Sequence, residues 1–431
     1  GFETRDLATF ARQPKELPTL EDLLKKDLKS PVQEPGSQVT YGGYGTALTG
    51  YLISQIKNMN FEDYMEENIF RPLGMENTTF SQILPNNFKG RLVNIYNYDD
   101  KKDIFIPSKF LYVQTSPTGA LSTTVEDMGK FLITLLNKDR CKENQILNEE
   151  TIEKMFSSQY RPHKSLPGIT YGFMESFNSG QRGLIRDGSG VGIRSQIYLL
   201  PEYNLGYFYV QNSGGDKVID EFNEFFIKHL FPKKDARLDD QIYINELEKF
   251  EGNYRPAQTA KHTLVKLEAL AIGDLKVSSN DNGELIIKVL GTGGVYGGFT
   301  DESKWIQAEP LLFHRTDKEQ YIAFQEDKNG KIISLASGSG YHGSFTKIPC
   351  YESNRAQLCL LATYIITFIV TIIINLFNKF KAGKNNLRVA STITSILFII
   401  SIFGLIYSLF IKRIEGFPAF AFGVPLLSKV M

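Results

Sequence analysis

Apolar positions in the first part of the chain recur three and four residues apart. Thr19-Leu-Glu-Asp-Leu-Leu has a Thr placed to cap a helix and an acid in its first turn. From Thr46 to Lys57, Leu48, Tyr51, Leu52 and Ile56 fall at helical spacing, which predicts a helix with that face apolar. Phe61 to Phe70 repeats the pattern with Phe61, Tyr64, Ile69 and Phe70. It should stop at Arg71-Pro72, because a residue before Pro is pushed out of the helical region. Thr123-Thr124 introduce a further amphipathic helix, Val-Glu-Asp-Met-Gly-Lys-Phe-Leu-Ile-Thr-Leu-Leu. The period then shortens. Gln196 to Leu200 and Leu205 to Gln211 are β-prone runs joined by Pro201-Glu202-Tyr203-Asn204, a hairpin pattern.

Two further regions differ in texture. Between about 248 and 349, short strand-like runs alternate with polar turns. Glu284-Leu-Ile-Ile-Lys-Val-Leu comes after Asp281-Asn282-Gly283, and Asp327-Lys328-Asn329-Gly330 separates Tyr321-Ile-Ala-Phe from Lys331-Ile-Ile. Asn-Gly between such runs favours tight hairpins, so a small antiparallel barrel or sandwich is expected there, with Trp305 in its core. After residue 355 the hydrophobicity is of membrane grade. Ala356 to Phe377 and Val389 to Ile411 carry no charge, and each is long enough to cross ~30 Å of hydrocarbon at ~1.5 Å per residue. Between them lie Lys379, Lys381, Lys384 and Arg388 without an acid, which argues for a cytoplasmic loop and extracytoplasmic flanks. The expected organisation is one mixed unit over 1–235, a linker at 236–247, a β-domain at 248–349, spans at 356–377 and 389–411, a basic loop at 378–388, and an extracytoplasmic end over 412–431 that starts a further apolar run.

Composition narrows the function classes. Formal net charge is +0, so nothing points to nucleic acid. Three cysteines do not make a disulfide framework, and the five His (His163, His229, His262, His314, His342) show no metal-ligand spacing. No phosphate loop is present; Gly291-Thr-Gly-Gly-Val-Tyr-Gly-Gly lacks a Lys and a downstream helix and reads as a turn. No cofactor is expected.

Chemistry enters at Pro35 to Phe80, where Pro35-Gly36 leads to Tyr41 in a glycine-rich bend, with Tyr44-Gly45 and a helix after it. This segment resembles the beta-lactamase-related serine hydrolases: class C beta-lactamases, penicillin-binding proteins, D-alanyl-D-alanine carboxypeptidases and their esterase relatives. Three further stretches carry the same resemblance. Pro117-Thr118-Gly119-Ala120-Leu121 stands where the family has Pro-x-Gly-Gly-Leu, and Thr123-Thr-Val-Glu-Asp-Met where it has Ser-Thr-Ala-Glu-Asp-Met. Leu199-Leu-Pro-Glu-Tyr-Asn-Leu-Gly is similar to its Leu-Leu-Pro-Glu-x-Asn-Leu-Gly hairpin. The resemblance implies an α+β fold, an antiparallel sheet flanked by helices.

It also implies site residues. Tyr41 matches the family's proton-transferring Tyr. A phenol ionises near pH ~10, so such a Tyr needs a neighbouring ammonium to serve as a base. The family's Asn two positions on is Gly43 here, so a donor to substrate amides and to the catalytic Lys is missing. Arg186-Asp187-Gly188-Ser189 best matches the family's Lys-Thr-Gly or His-x-Gly strand, anchored by Gly192-Ile193-Arg194-Ser195. Arg186 then supplies a fixed positive charge whose fork suits a carboxylate. Gly188 would permit close approach of substrate to the strand, Asp187 would adjoin it, and the Ser189 N–H would donate to an oxyanion. The nucleophile of this family is a Ser in Ser-x-x-Lys, upstream of the Tyr. The chain starts at Gly1, in a stretch resembling the family segment just downstream of that motif, so a fragment that is inactive alone is expected. Ser54-Gln-Ile-Lys57 and Ser344-Phe-Thr-Lys347 are chance matches on this reading.

The function implied is a membrane-anchored, extracytoplasmic serine hydrolase acting through an acyl-enzyme on D-amino-acid peptides, β-lactams or small esters. Its partners would be a peptidoglycan-type peptide or small-molecule substrate and the lipid bilayer. The alternative is a non-catalytic binder of cell-wall peptide, or a scaffold, with a degenerate site.

Overall fold

The computed structural model describes residues 2, 9–26, 28, 31–99, 101–138, 145–190, 192–213, 217–232, 246–262, 266–267, 269–290, 298–299, 302–379, 386–407, 411–414 and 417–422. The expected linker lies outside these residues except at 246–247, as do Lys381 and Lys384 of the basic loop and the glycine-rich run 291–297.

β1 (Phe10–Ala11) precedes α1 (Leu20–Lys26), where the Asp22 N–H donates to Thr19 Oγ1 at 3.1 Å, the cap that the sequence announced. α2 (Gly43–Lys57) forms but buries a different face from the one its large apolar residues mark. Tyr44, Ala47 and Gly50 are inside, while Leu52 and Ile56 are 50% and 78% exposed. The reason is a close crossing. A Cβ at Gly50 would overlap the Pro117 ring and come within 3.3 Å of Phe61, so only a glycine lets the two backbones meet. α3 (Phe61–Met65) is capped by Asn60 but does not run regularly to Phe70. Glu66–Phe70 is a π turn, closed by the Arg71 N–H on Glu66 O at 2.9 Å. At ~3.6 residues per turn Phe61 and Phe70 would point to opposite sides, and the wider turn rotates Phe70 back. Both rings then reach Phe80, at 5.0 and 5.9 Å.

β2 (Ile95–Asp99) and β3 (Ile104–Ser108) make a hairpin, and β4 (Tyr112–Val113) pairs with β1. α4 (Ser116–Gly119) is a single turn against α2. α5 (Val125–Leu136) and α6 (Glu149–Phe156) are capped by Thr124 and Asn148. β5 (Met174–Asn178), β6 (Gln181–Gly190), β7 (Ile193–Leu200) and β8 (Leu205–Gln211) form an antiparallel sheet in chain order. The β7–β8 connection is the one expected: Pro201–Tyr203 makes a short turn and Asn204, at φ 49°, closes it in the left-handed region. Alternation along the strands serves both faces. Leu184, Ile197 and Leu199 pack on Met128, Leu132 and Leu135 of α5 and Ile152 of α6. Tyr198 and Leu200 pack on Ile227 of α7 (Lys217–Leu230). The α+β arrangement, a sheet between helices, stands.

The second unit comprises β9 (Gly252–Pro256), α8 (Ala269–Ile272), β10 (Asp274–Ser279), β11 (Leu285–Leu290), β12 (Ser303–Glu309), β13 (Leu312–Arg315), β14 (Tyr321–Glu326), β15 (Ile332–Ser337) and β16 (Ser344–Ile348). β16 pairs back onto β9, so the strands close a barrel and leave no edge. Phe250, Tyr254, Trp305, Phe313, Phe324 and Phe345 fill it. Its Asn-Gly turns are braced by side chains. Asn280 Oδ1 accepts the N–H groups of Asn282 and Glu284 (both 3.0 Å), and Asp327 Oδ1 those of Asn329 and Lys331 (2.8 and 3.0 Å).

α9 (Asn354–Lys379) and α10 (Asn386–Ile406) are long and apolar enough to cross a membrane, with mean hydropathy 2.4 and 2.3. They pack together: Phe368 and Phe398 lie 4.6 Å apart, and Asn375 Nδ2 donates to Ser391 Oγ and Thr392 Oγ1 at 2.8 and 3.0 Å. A final hairpin, β17 (Arg413–Ile414) and β18 (Phe417–Pro418), leads to Phe422, which lies 6.1 Å from Phe10 and beneath the Arg12 guanidinium.

Candidate functional site

Tyr41 sits in the extended segment that leads into α2, and Gly42 is the residue that caps that helix. Gly43 opens the first turn. A Cβ there would meet Thr118 Cγ2 at 3.7 Å, an ordinary contact, so space does not demand the glycine. Arg186, Asp187, Gly188 and Ser189 lie on β6, opposite Ile197, Gln196, Ser195 and Arg194 of β7. Asp187 is exposed and accepts from Gln196 Nε2 at 2.7 Å, a bond along the sheet. A Cβ at Gly188 would overlap the Ser195 hydroxyl, so fit against β7 gives this glycine a reason of its own. Ser189 is exposed near the end of the strand.

Tyr41 and Arg186 meet through a residue that the sequence did not single out. Tyr341, in the short turn Gly340–His342 between β15 and β16, lies edge-on to the Tyr41 ring at 6.0 Å. The Arg186 guanidinium stands over the same Tyr341 ring at 5.6 Å, a cation–π contact. His342 lies 6.2 Å from Tyr41 and is within hydrogen-bond reach of Gln258, Nδ1 to Oε1 2.9 Å. Burial pushes the Tyr341 phenol up, and the opposing pull of Arg186 does not cancel this, so it is a neutral phenol at pH 7. The available signal was an aromatic pair in Gly338-Ser-Gly-Tyr-His-Gly, where a plain strand connection has small polar residues.

The barrel also holds the approach to Tyr41. Tyr160 OH donates to Ser37 O at 2.9 Å and accepts from Gln325 Nε2 of β14 at 2.9 Å. Thr346 Oγ1 of β16 donates to Gln38 Oε1 at 3.1 Å. The two Ser-x-x-Lys matches stand apart from this cluster. Ser54 Oγ donates to Gly50 O at 3.1 Å near the far end of α2, about 16 Å along the axis from Gly43. Ser344 lies on β16, and Lys347 donates to Lys249 O at 2.9 Å. Among the described residues no group of three or more His, Cys, Asp or Glu could hold a metal.

A cavity of about 400 Å³ lies elsewhere, lined by Glu153, Phe156, Ser157, Ser158, Arg161, Glu175 and Arg182. Its anionic centre is spoken for. Glu175 is buried and accepts from Arg161 Nη2 (2.7 Å), Arg182 Nε (2.8 Å) and the Gly168 N–H (2.8 Å). Burial alone would raise its carboxyl, but these donors outweigh it and hold the carboxyl below its ordinary range. The arrangement that offers chemistry is therefore the Tyr41–Arg186 cluster: a phenol, a fixed cation and the backbone of a strand end.

Comparison with known proteins places this geometry. A sequence model of the beta-lactamase family matches residues 4–229. Beta-lactamase-like protein 4 of Dictyostelium discoideum is 28% identical over 193 residues, 41% of this chain and 33% of that protein. The chain thus matches a third of the length of this relative. A crystal structure of SurE covers 79% of this chain and 76% of its own, at 15% identity and TM-score 0.53, a likeness of fold. The octameric penicillin-binding protein homologue of Pyrococcus abyssi covers 76% of this chain and 70% of its own at 20% identity, with TM-score 0.43. The family match takes in Tyr41, α2, the sheet and Arg186, which is more than half of the chain, and the chain belongs to the beta-lactamase family.

Proposed function

We propose that this chain is the membrane-tethered body of a serine hydrolase, active on the extracytoplasmic side, that acylates a Ser supplied by sequence upstream of Gly1. The observation that carries the reading is the meeting of Tyr41, at the mouth of α2, with Arg186 on β6, on either side of one aromatic ring. In this reading the Ser Oγ attacks the acyl carbon and its proton passes through Tyr41 to the leaving group. The bond to that group breaks, and water then releases the acyl chain. Arg186 holds a substrate carboxylate, and the Ser189 N–H faces the developing oxyanion. Gly188 and Asp187 are secondary to this, since each has a partner on β7. Substrates are D-amino-acid peptides or small esters, and Gly43 disfavours efficient β-lactam turnover.

Membrane attachment is supported by α9 and α10, and the side by the uncompensated Lys379, Lys381, Lys384 and Arg388 between them. The test is to express the coding sequence extended upstream in frame and treat it with a fluorescent β-lactam and with a fluorophosphonate. Covalent labelling by the fluorophosphonate is expected, and labelling by a carboxylate-bearing β-lactam should fall at least about tenfold in Arg186→Ala. No labelling by either probe would overturn the hydrolase reading and favour a non-catalytic binder of cell-wall peptide.

A further inference from the structure

We infer that Tyr341 is the specificity-determining residue of the candidate site: its ring walls off the cleft beside Arg186, so the cleft takes ligands that end in a carboxylate there and rejects those that continue past it. The inference rests on the proposed carboxylate-binding role of Arg186 and deepens it.

Three observations support it. First, Tyr341 takes one whole face of the Arg186 guanidinium, so an incoming carboxylate has only the edge and the other face of the fork to approach. Second, the turn that carries Tyr341 is held in place. A Cβ at Gly340 would overlap the Met174 sulfur, the φ of Gly340 is +57°, and the Tyr341 N–H lies 3.4 Å from Met174 Sδ. Such a turn fits only with glycine, and it fixes the ring against β5. Third, the barrel sets the distance between the two sides. It holds the Tyr41 segment through Gln325 and Tyr160 at Ser37, and through Thr346 at Gln38, while the same barrel presents Tyr341 and His342 to Tyr41. A ring that only filled space would need no such bracing of the loop it faces. The wall therefore belongs to a different part of the chain from the charge it guards, and its reach into the cleft depends on barrel docking.

The probes are N-acetyl-D-alanyl-D-alanine and the same peptide extended by one glycine, titrated calorimetrically into the full chain in detergent. The unaltered protein should bind the shorter acid at least about tenfold more tightly. Tyr341→Ala should bring the two within about threefold, and Tyr341→Phe, which keeps the ring, should preserve the preference. Fluorescence of Trp305, the single Trp and buried in the barrel, reports folding of each variant. If Tyr341→Ala unfolds the barrel, Tyr341→Leu takes its place. A preference that survives loss of the ring, or none in the unaltered protein, overturns the wall. Binding of the shorter acid that Arg186→Ala leaves intact, or no binding at all, overturns the carboxylate reading itself, and the wall with it.

Discussion

Glu175 shows how a buried charge in this fold is made tolerable. Two guanidinium groups and one backbone N–H surround a side chain with almost no contact with water, and together they join the 161–168 segment to β5 and β6. Removing the acid leaves two cations facing each other, so Glu175→Gln should cost about 3 kcal/mol, near the low end for breaking a buried pair because both Arg are partly exposed. The pH dependence has a definite sign. The folded carboxyl lies below its ordinary value of 4.5, so its stabilisation is complete above about pH 4.5 and is lost as pH falls through the folded value. Denaturant melts at pH 7 and near pH 3 should show the gap between the unaltered protein and Glu175→Gln closing in acid. A second residue tests chemistry. Gly43 has room for a Cβ, with Thr118 at 3.7 Å. Gly43→Asn should therefore fold normally in the upstream-extended protein and speed its labelling by a fluorescent β-lactam, since it supplies the amide donor that the chain lacks. Unchanged labelling at unchanged stability would show that Gly43 is not what restrains β-lactam recognition.

At the scale of elements, Gly50 sets the packing of α2. Gly→Ala inside a helix ordinarily gains about 0.5–1 kcal/mol. Here the added methyl overlaps Pro117 and crowds Phe61, and overpacking costs about 1–3 kcal/mol. The second term is larger, so Gly50→Ala should lower the urea midpoint. An increase would mean that α4 moves aside freely. This crossing also marks the limit of what the sequence reveals. The β7–β8 hairpin, the caps at Thr19 and Thr124 and the span-length helices were legible because each depends on residues within a few positions. The buried face of α2 was not, because Pro117 chose it against the larger Leu52 and Ile56. The turn at Glu66–Phe70 was not, because it answers to Phe80. In the candidate site, Tyr41 and Arg186 could be picked out by their neighbours in sequence. Their common contact with Tyr341 could not, since that residue joins them only once the barrel has closed and docked.

Across the whole molecule, the chain leaves the barrel through α9 and comes back beside the hydrolase-like unit. The departure is fixed. Arg255 Nε donates to Asp274 Oδ1 at 2.9 Å, Arg255 Nη2 to Glu352 O at 2.8 Å, and the first N–H of α9, at Asn354, to Asp274 Oδ2 at 2.9 Å. A carboxylate at a helix N-terminus is favourably placed, so the barrel and α9 are joined as one piece. The return is fixed less firmly, by Phe422 against Phe10 and Arg12. Both contacts put the outer ends of α9 and α10 on the side of the hydrolase-like unit. The segment between the helices is then at the far end, about 39 Å away along a 26-residue helix. The expected topology is a hairpin with Cys350 on one side of the bilayer and Lys384 on the other. In cells, with Cys141 and Cys359 replaced by Ser, a membrane-impermeant maleimide added outside should label Cys350. In a protein that also carries Cys350→Ser, Lys384→Cys should react only after permeabilisation. Labelling of both from outside would mean that the two helices do not span. Labelling of Lys384→Cys alone would invert the chain and put the Tyr41–Arg186 cleft in the cytoplasm, out of reach of any extracytoplasmic substrate.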